Sequence, residues 1–192
     1  MDVSAVILSS KPVNRVIPGI TVVPHVSVFS DIAALLAARL KAIEKVQTPH
    51  FFFLDDDDDL PENYLDVLQH SLDAKAAVAY TNEVVRESGC ELVARSAPYN
   101  QALHLQNPML IHHLALCDTQ AAKSIIARIP QGVFAFEPIF YFELAAQGAA
   151  HVDRVGYVWN KSASGLSQHY TSTVGIARAM THNNTKATTW LL

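Results

Sequence analysis

At 192 residues, half of them hydrophobic and 17% charged, the chain is globular, rather apolar and long enough for one substantial core. A formal net charge of −4 leaves no footprint for a broad nucleic-acid-binding face. The two cysteines, Cys90 and Cys117, supply neither a disulfide framework nor metal-ligand spacing, and read as buried thiols of a reducing compartment. The opening residues carry no basic segment or cleavage signal, and no apolar run approaches the roughly 20 residues of a membrane span. A cytoplasmic protein without a membrane span is the expectation.

Taken in order, Ser4 to Ser9 is a short apolar strand that ends in the polar loop Ser9-Ser10-Lys11-Pro12. Ile20 to Val23 is a second strand, bounded by Gly19 and Pro24. The residues between them are too few for a full crossover helix. Asp31 is placed as the cap of a helix over Ile32 to Val46, with Leu35, Leu36, Leu40 and Ile43 at helical spacing. Phe51 to Leu54 then reads as a strand buried on both faces. It runs straight into five aspartates, Asp55 to Asp59, followed by Leu60-Pro61.

Beyond the acidic run, Glu62 to Leu72 is a helix with Tyr64, Leu65 and Leu68 on one face, and Ala76 to Tyr80 is a strand. Val84 to Arg86 and Glu91 to Ala94 read as a hairpin. Residues 96–108 show little periodicity and are expected to make an irregular excursion over the active face. Leu114 to Cys117 is a strand, with Asp118 capping a helix over Thr119 to Ile129. Pro138 to Gln147 is a helix stopped by Gly148, and His151 to Trp159 a strand. A polar loop, Asn160 to Ser167, follows, and the tail from Thr173 is helical at most. These elements make a single α/β domain over residues 1–192.

An acidic run at the carboxyl end of a buried strand sits where open α/β sheets bind ligands. Adjacent carboxylates repel one another, and a hard divalent cation relieves that repulsion while sharing its coordination with substrate phosphates. The competing interpretation is a solvated loop or a helix-start charge cluster.

The run Ala38 to Val46, then Phe51 to Asp59, then Leu60-Pro61-Glu62-Asn63-Tyr64-Leu65, resembles family 2 glycosyltransferases of the GT-A fold. In that family a helix carrying Ala-Arg-Asn precedes a strand ending in an Asp-x-Asp metal motif, then Leu-Pro and a helix. The similarity continues through the hairpin and Phe136-Glu137-Pro138 to Gly148, Tyr157-Val158-Trp159 and Gly165-Leu166-Ser167, covering roughly residues 38 to 167. It implies a GT-A-like domain with a mixed, mainly parallel central sheet flanked by helices and a shortened N-terminal nucleotide-binding half. Three departures stand out. The opening crossover helix has no room, Leu40 replaces the family's asparagine, and the family's late acidic pair is Phe136-Glu137.

The resemblance implies a metal-dependent, inverting transfer of sugar from a nucleoside-diphosphate sugar to an acceptor hydroxyl, with Mn²⁺ or Mg²⁺. It makes Asp55-Asp56-Asp57 the metal motif, with Asp57 the direct ligand and Asp55 on ribose or on the metal through water. Asp56 belongs to the same donor-binding run; Asp56, Asp58 and Asp59 each read equally well as cap and solvated charge. It places Glu137 as the base, at a helix N-cap ahead of Pro138 where the dipole favours its ionised form. Arg39 is assigned to the diphosphate or to orienting the acidic loop. Ser9, Lys11 and Asp31 are candidates for the nucleoside side, because they close the first strands at the ligand-binding end. Of nine histidines, His169 is the candidate to complete a metal shell, and His104, His112 and His113 fall in the acceptor region. Saccharide, lipid carrier, protein and modified nucleobase all stay open as acceptors. A partner chain of a homo-oligomer, or the 96–108 excursion, is expected to complete the donor pocket. The rival readings are an idle sugar-nucleotide or glycan-binding relative, and another metal-dependent phosphate enzyme such as a nucleotidyltransferase.

Overall fold

A computed structural model describes residues 1–27, 32–129 and 136–161. The expectations for Asp31, for residues 165–167, for His169 and for the tail from residue 173 lie outside the described residues. The chain runs β1 (Val3–Ser9), β2 (Thr21–Val26), α1 (Ile32–Lys45), β3 (His50–Asp55), α2 (Tyr64–Asp73) and β4 (Val78–Glu87). It continues through β5 (Cys90–Ala94), α3 (Gln101–Gln106), β6 (Ala115–Asp118), α4 (Thr119–Ile125), α5 (Phe136–Ala145) and β7 (Ala149–Asn160).

The strands form one seven-stranded sheet in the order β2-β1-β3-β6-β4-β5, with β7 also paired to β4. β1 is parallel to β2 and β3, and β4 is parallel to β7. β6 is antiparallel to both β3 and β4, and β5 is antiparallel to β4. Among the described strands, then, only β5 and β6 oppose the common direction, and the sheet is mixed and mainly parallel. The carboxyl ends of β1, β3, β4 and β7 and the start of β6 therefore gather at one edge. That edge is where the chemistry-bearing residues lie.

The apolar run of β3 explains how the layers are held. Alternate side chains of a strand point to opposite faces, so Phe51 and Phe53 enter one core and Phe52 and Leu54 the other. The first core takes Ala42 and Ile43 of α1, Val46 just after it, Ala122 and Ile125 of α4, and Ile139 and Phe140 of α5. The second takes Val67 and Leu68 of α2 with Ile17 and Ile20 of the β1–β2 connection. Phe53 meets Phe51 and Phe140 edge-on, at centroid distances of 5.6 and 6.4 Å. Burying each such ring is worth about 1.5–3 kcal/mol, which makes β3 the mechanical centre of the domain.

No helix separates β1 from β2. The crossover is an irregular segment whose Ile17 and Ile20 do the covering that a helix face would do. Tyr64 of α2 holds it by donating its hydroxyl to the Pro18 carbonyl at 2.6 Å.

Several boundaries differ from expectation. The strands expected at 76–80 and 84–86 are one strand, β4, which begins at Val78 and whose register against β7 breaks on either side of Asn82. The polar stretch Thr81-Asn82-Glu83 hid that continuity, because it interrupts the apolar pattern while the backbone pairing goes on. The 96–108 excursion contains α3, capped by the Asn100 side chain, which accepts from the Leu103 amide at 3.0 Å. The helix after β6 gives way at Ile126 to a single 3-10 turn, although Asp118 caps it as expected. Leu65 is exposed, and α2 instead buries Val67, Leu68 and Ser71. Cys117 is buried, but Cys90 lies exposed at the β4–β5 turn. No described helix is long and apolar enough to cross a membrane.

Candidate active site

The five aspartates do five different things. Asp55 closes β3; its amide donates to the Tyr157 hydroxyl at 3.1 Å, and its carboxylate accepts from Arg39 at 2.8 Å. Asp56 accepts from the Ser9 hydroxyl at 2.6 Å, and Ser9 in turn accepts from the Lys11 amide at 3.1 Å. Asp59 pairs with Arg15 at 3.3 Å and with Arg86 at 3.7 Å. Its backbone bridges to Val158 of β7.

Asp58 is buried, contrary to the solvated role weighed for it. Tyr157 donates to one of its oxygens at 2.8 Å and the Asn160 amide to the other at 2.7 Å. It is the tie between the acidic loop and β7. Burial pushes its carboxyl up to about 6, with the Asn160 and Tyr157 hydrogen bonds opposing and the charges of Asp55 and Asp57 adding to the rise.

Asp57 is exposed, and among the described residues its carboxylate is engaged by no partner side chain through a hydrogen bond. Partial burial raises its carboxyl, and the neighbouring charge of Asp55 raises it further. Asp55 and Asp59 have arginine partners, whereas among the described residues Asp56, Asp57 and Asp58 are paired with no lysine or arginine. A divalent cation suits that arrangement.

One ligand atom from each of Asp55, Asp58 and His113 falls within 4.8 Å of the others. This set shares Asp55 with the expected ligands, takes Asp58 and His113 in addition, and does not include Asp57. Oxygen donors suit Mg²⁺ and Mn²⁺, whereas the imidazole favours later transition metals, so the acidic members carry the fit to a hard ion.

Arg39 lies inside α1 with its side chain only 7% exposed, and it pairs with both Asp55 and Glu137. One guanidinium therefore links the end of β3 to the first turn of α5. A rigid fork with five donors is suited to holding two carboxylates at once. It also lies over the Phe53 ring, 5.2 Å from the centroid. The link is a buried one, not a surface ion pair. Glu137 is the second residue of α5 rather than its N-cap, because the helix starts at Phe136. It still lies in the first turn, where the helix dipole favours a negative charge.

The opposite wall of the site comes from residues with no strong local signal. Glu83 of β4 accepts at one oxygen from His112 at 3.3 Å and from His113 at 3.0 Å. Burial would raise the Glu83 carboxyl, but the two imidazole contacts outweigh it and bring it down to about 2. His113 stacks on Tyr157 at 4.4 Å, and His112 and His113 both contact Trp159.

The structure thus brings Ser9, Arg39, the acidic run and Glu137 to one edge of the sheet. Lys11 is exposed and joins through its backbone only. Local sequence reasoning missed Arg15, Glu83, Tyr157 and Asn160 because each meets the site across a long sequence separation. The adjacent pair His112-His113 was the one visible hint.

No protein-family model matches the chain, and no curated protein matches it. Solved structures do. S. aureus TarS 1-349 is similar with a TM-score of 0.58 and 13% identity, over 83% of this chain and 60% of that one. The structure of TarS 1-349 in complex with UDP-GlcNAc has a TM-score of 0.58 and 14% identity, over 92% of this chain and 63% of that one. The longer TarS structure has a TM-score of 0.60 and 12% identity, over 84% of this chain and 37% of that one. The chain spans less than two thirds of each of these proteins, and at such identities the likeness is one of fold.

Proposed function

We propose that this domain binds a nucleoside-diphosphate sugar and transfers the sugar to an acceptor hydroxyl with inversion, as a family 2-like glycosyltransferase dependent on Mn²⁺ or Mg²⁺. The observation that carries this reading is the Arg39 link between Asp55 and Glu137, at the carboxyl edge of a sheet shared with a protein solved in complex with UDP-GlcNAc. Asp55, with Asp58 converging on it and Asp57 beside it, would hold the ion. When bound, such an ion supplies charge stabilisation for the departing diphosphate. The protein's own part is positioning. Ser9 fixes Asp56 on the side of the opening strands, where the nucleoside would lie. Glu137, kept ionised and aimed by Arg39, accepts the acceptor hydroxyl's proton as the oxygen attacks the anomeric carbon.

A second reading stays open on one specific observation. The Glu137 carboxylate is already engaged by Arg39, and a salt-bridged carboxylate is a weaker base. A domain that holds the nucleotide sugar without transferring it would tolerate that pairing.

Calorimetric titration with UDP and UDP-GlcNAc, with and without Mn²⁺, separates the possibilities. Metal-dependent binding that is lost in Asp57→Ala supports the donor site; binding indifferent to both metal and Asp57 removes it. Glu137→Gln should lower transfer or donor hydrolysis by about 10²–10⁴-fold, the usual worth of a positioned base. Metal-dependent binding with no turnover of any donor favours the binding module.

A further inference from the structure

We infer that Glu83, His112 and His113 form a binding site for a single transition-metal ion of the zinc class. The site differs in donor type from the oxygen-rich acidic run beside it and does not rest on the glycosyltransferase reading. One ligand atom of each residue lies within 4.8 Å of the others. Two imidazoles and one carboxylate are the donor set of open, three-ligand zinc sites, which keep a fourth position for water or another ligand. A tetrahedral ion with bonds of about 2.0–2.1 Å places its ligand atoms about 3.3 Å apart. Glu83 Oε2 lies 3.3 Å from His112 Nδ1 and 3.0 Å from His113 Nδ1. Little movement is needed to admit an ion.

The frame around these donors is rigid. Glu83 sits in β4 between Ala94 of β5 and Tyr157 of β7, directly after the register break. His113 is stacked on Tyr157 with an interplanar angle of 11°, and His112 meets Trp159 edge-on. The two imidazoles have their centroids 3.6 Å apart, too close for both to carry a proton's charge comfortably. A shared cation resolves that crowding by taking a lone pair from each neutral ring. The side chains keep 13–17% of their surface, so the cluster is enclosed yet reachable from solvent. Imidazole donors select Zn²⁺, Co²⁺ or Ni²⁺ over Mg²⁺, which takes oxygen. Because His113 also faces Asp55 and Asp58, filling this site bears directly on the acidic run.

The test uses the full chain, stripped with chelator and titrated with Co²⁺. One equivalent should develop the intense visible bands of four- or five-coordinate cobalt. Zn²⁺ should bleach them and excess Mg²⁺ should not. Two paramagnetically shifted, exchangeable imidazole protons should accompany them in the wild-type protein. His112→Ala and Glu83→Gln should each weaken Co²⁺ binding by about 100-fold or more, while Asp55→Asn and His70→Ala leave it in place. Circular dichroism checks that each variant folds, and the proton count in the wild type decides the matter if one does not. Absence of the bands, or their persistence in both His112→Ala and Glu83→Gln, overturns the site. Loss in Asp55→Asn with retention in His112→Ala overturns it too, by moving the ion to the acidic run.

Discussion

Two buried titratable groups give the domain opposite responses to the same pH interval, and single substitutions should expose each. His104 of α3 is fully buried between Tyr99 and Phe142, and neither ring nitrogen has a hydrogen-bond partner among the described residues. Burial brings its imidazole down to about 4, with the Pro108 backbone offering only a weak opposing contact. Between pH 6.5 and 4 the unfolded chain binds a proton that the folded one refuses, so this residue removes stability as pH falls through that window. That lowering from 6.5 to about 4 corresponds to on the order of 3 kcal/mol. Asp58 works the other way. Its carboxyl is raised to about 6 in the fold, so the folded chain holds a proton that the unfolded one has released, and stability falls as pH rises from about 4 past 6. That effect is also on the order of 3 kcal/mol before a metal is added. Urea unfolding in chelator, from pH 4 to 7, is the assay. The stability of His104→Leu relative to wild type should be largest at pH 4 and shrink toward pH 6.5, whereas that of Asp58→Asn should grow with pH. Parallel curves for both variants, or either difference running with the opposite sign, would refute the burial argument.

Breaking the Arg39 link should be costly: Arg39→Met leaves Glu137 and Asp55 facing each other without a cation, for a loss of about 3–5 kcal/mol. Adding Glu137→Gln should recover part of it, so a double variant no more stable than the single one in urea titration would show that the pair is not coupled. Gly156→Ala places a methyl group 2.5 Å from Thr81 Oγ1 and 2.8 Å from Leu114 Cδ2, beside the register break. Overpacking there should cost about 1–3 kcal/mol, and an unchanged melting temperature would mean that the strands part easily.

What was legible in the sequence follows the range of the forces involved. The strand Phe51 to Leu54 could be read because four successive apolar residues serve both faces of a sheet, and α1 because its spacing repeats every turn. The cap at Asp118 was readable for the same local reason. α3 was not, since six residues give a helical period too little length to register. Nor was the continuity of β4, read as two strands because Thr81, Asn82 and Glu83 break the apolar pattern. Their polarity reflects use: Asn82 holds the Ser96 amide and meets His151 and Asp153, and Glu83 holds the histidine pair.

The acidic run shows the same limit inside a single motif. Five identical side chains carry no internal clue to which is buried and which is exposed. What separates them is the partner each meets after folding: Ser9 for Asp56, Arg15 for Asp59, Arg39 for Asp55, and Tyr157 with Asn160 for Asp58. Those partners arrive from β1, its following loop, α1 and β7, none adjacent in sequence. Asp57 is distinguished by its carboxylate, which meets no such partner side chain among the described residues; its backbone carbonyl accepts from the Asn160 side chain at 2.8 Å. In a run whose other members are each tied down, that makes it the carboxylate best able to turn toward an arriving cation. The sequence motif identifies where charge accumulates; the packing around it decides which charge remains available.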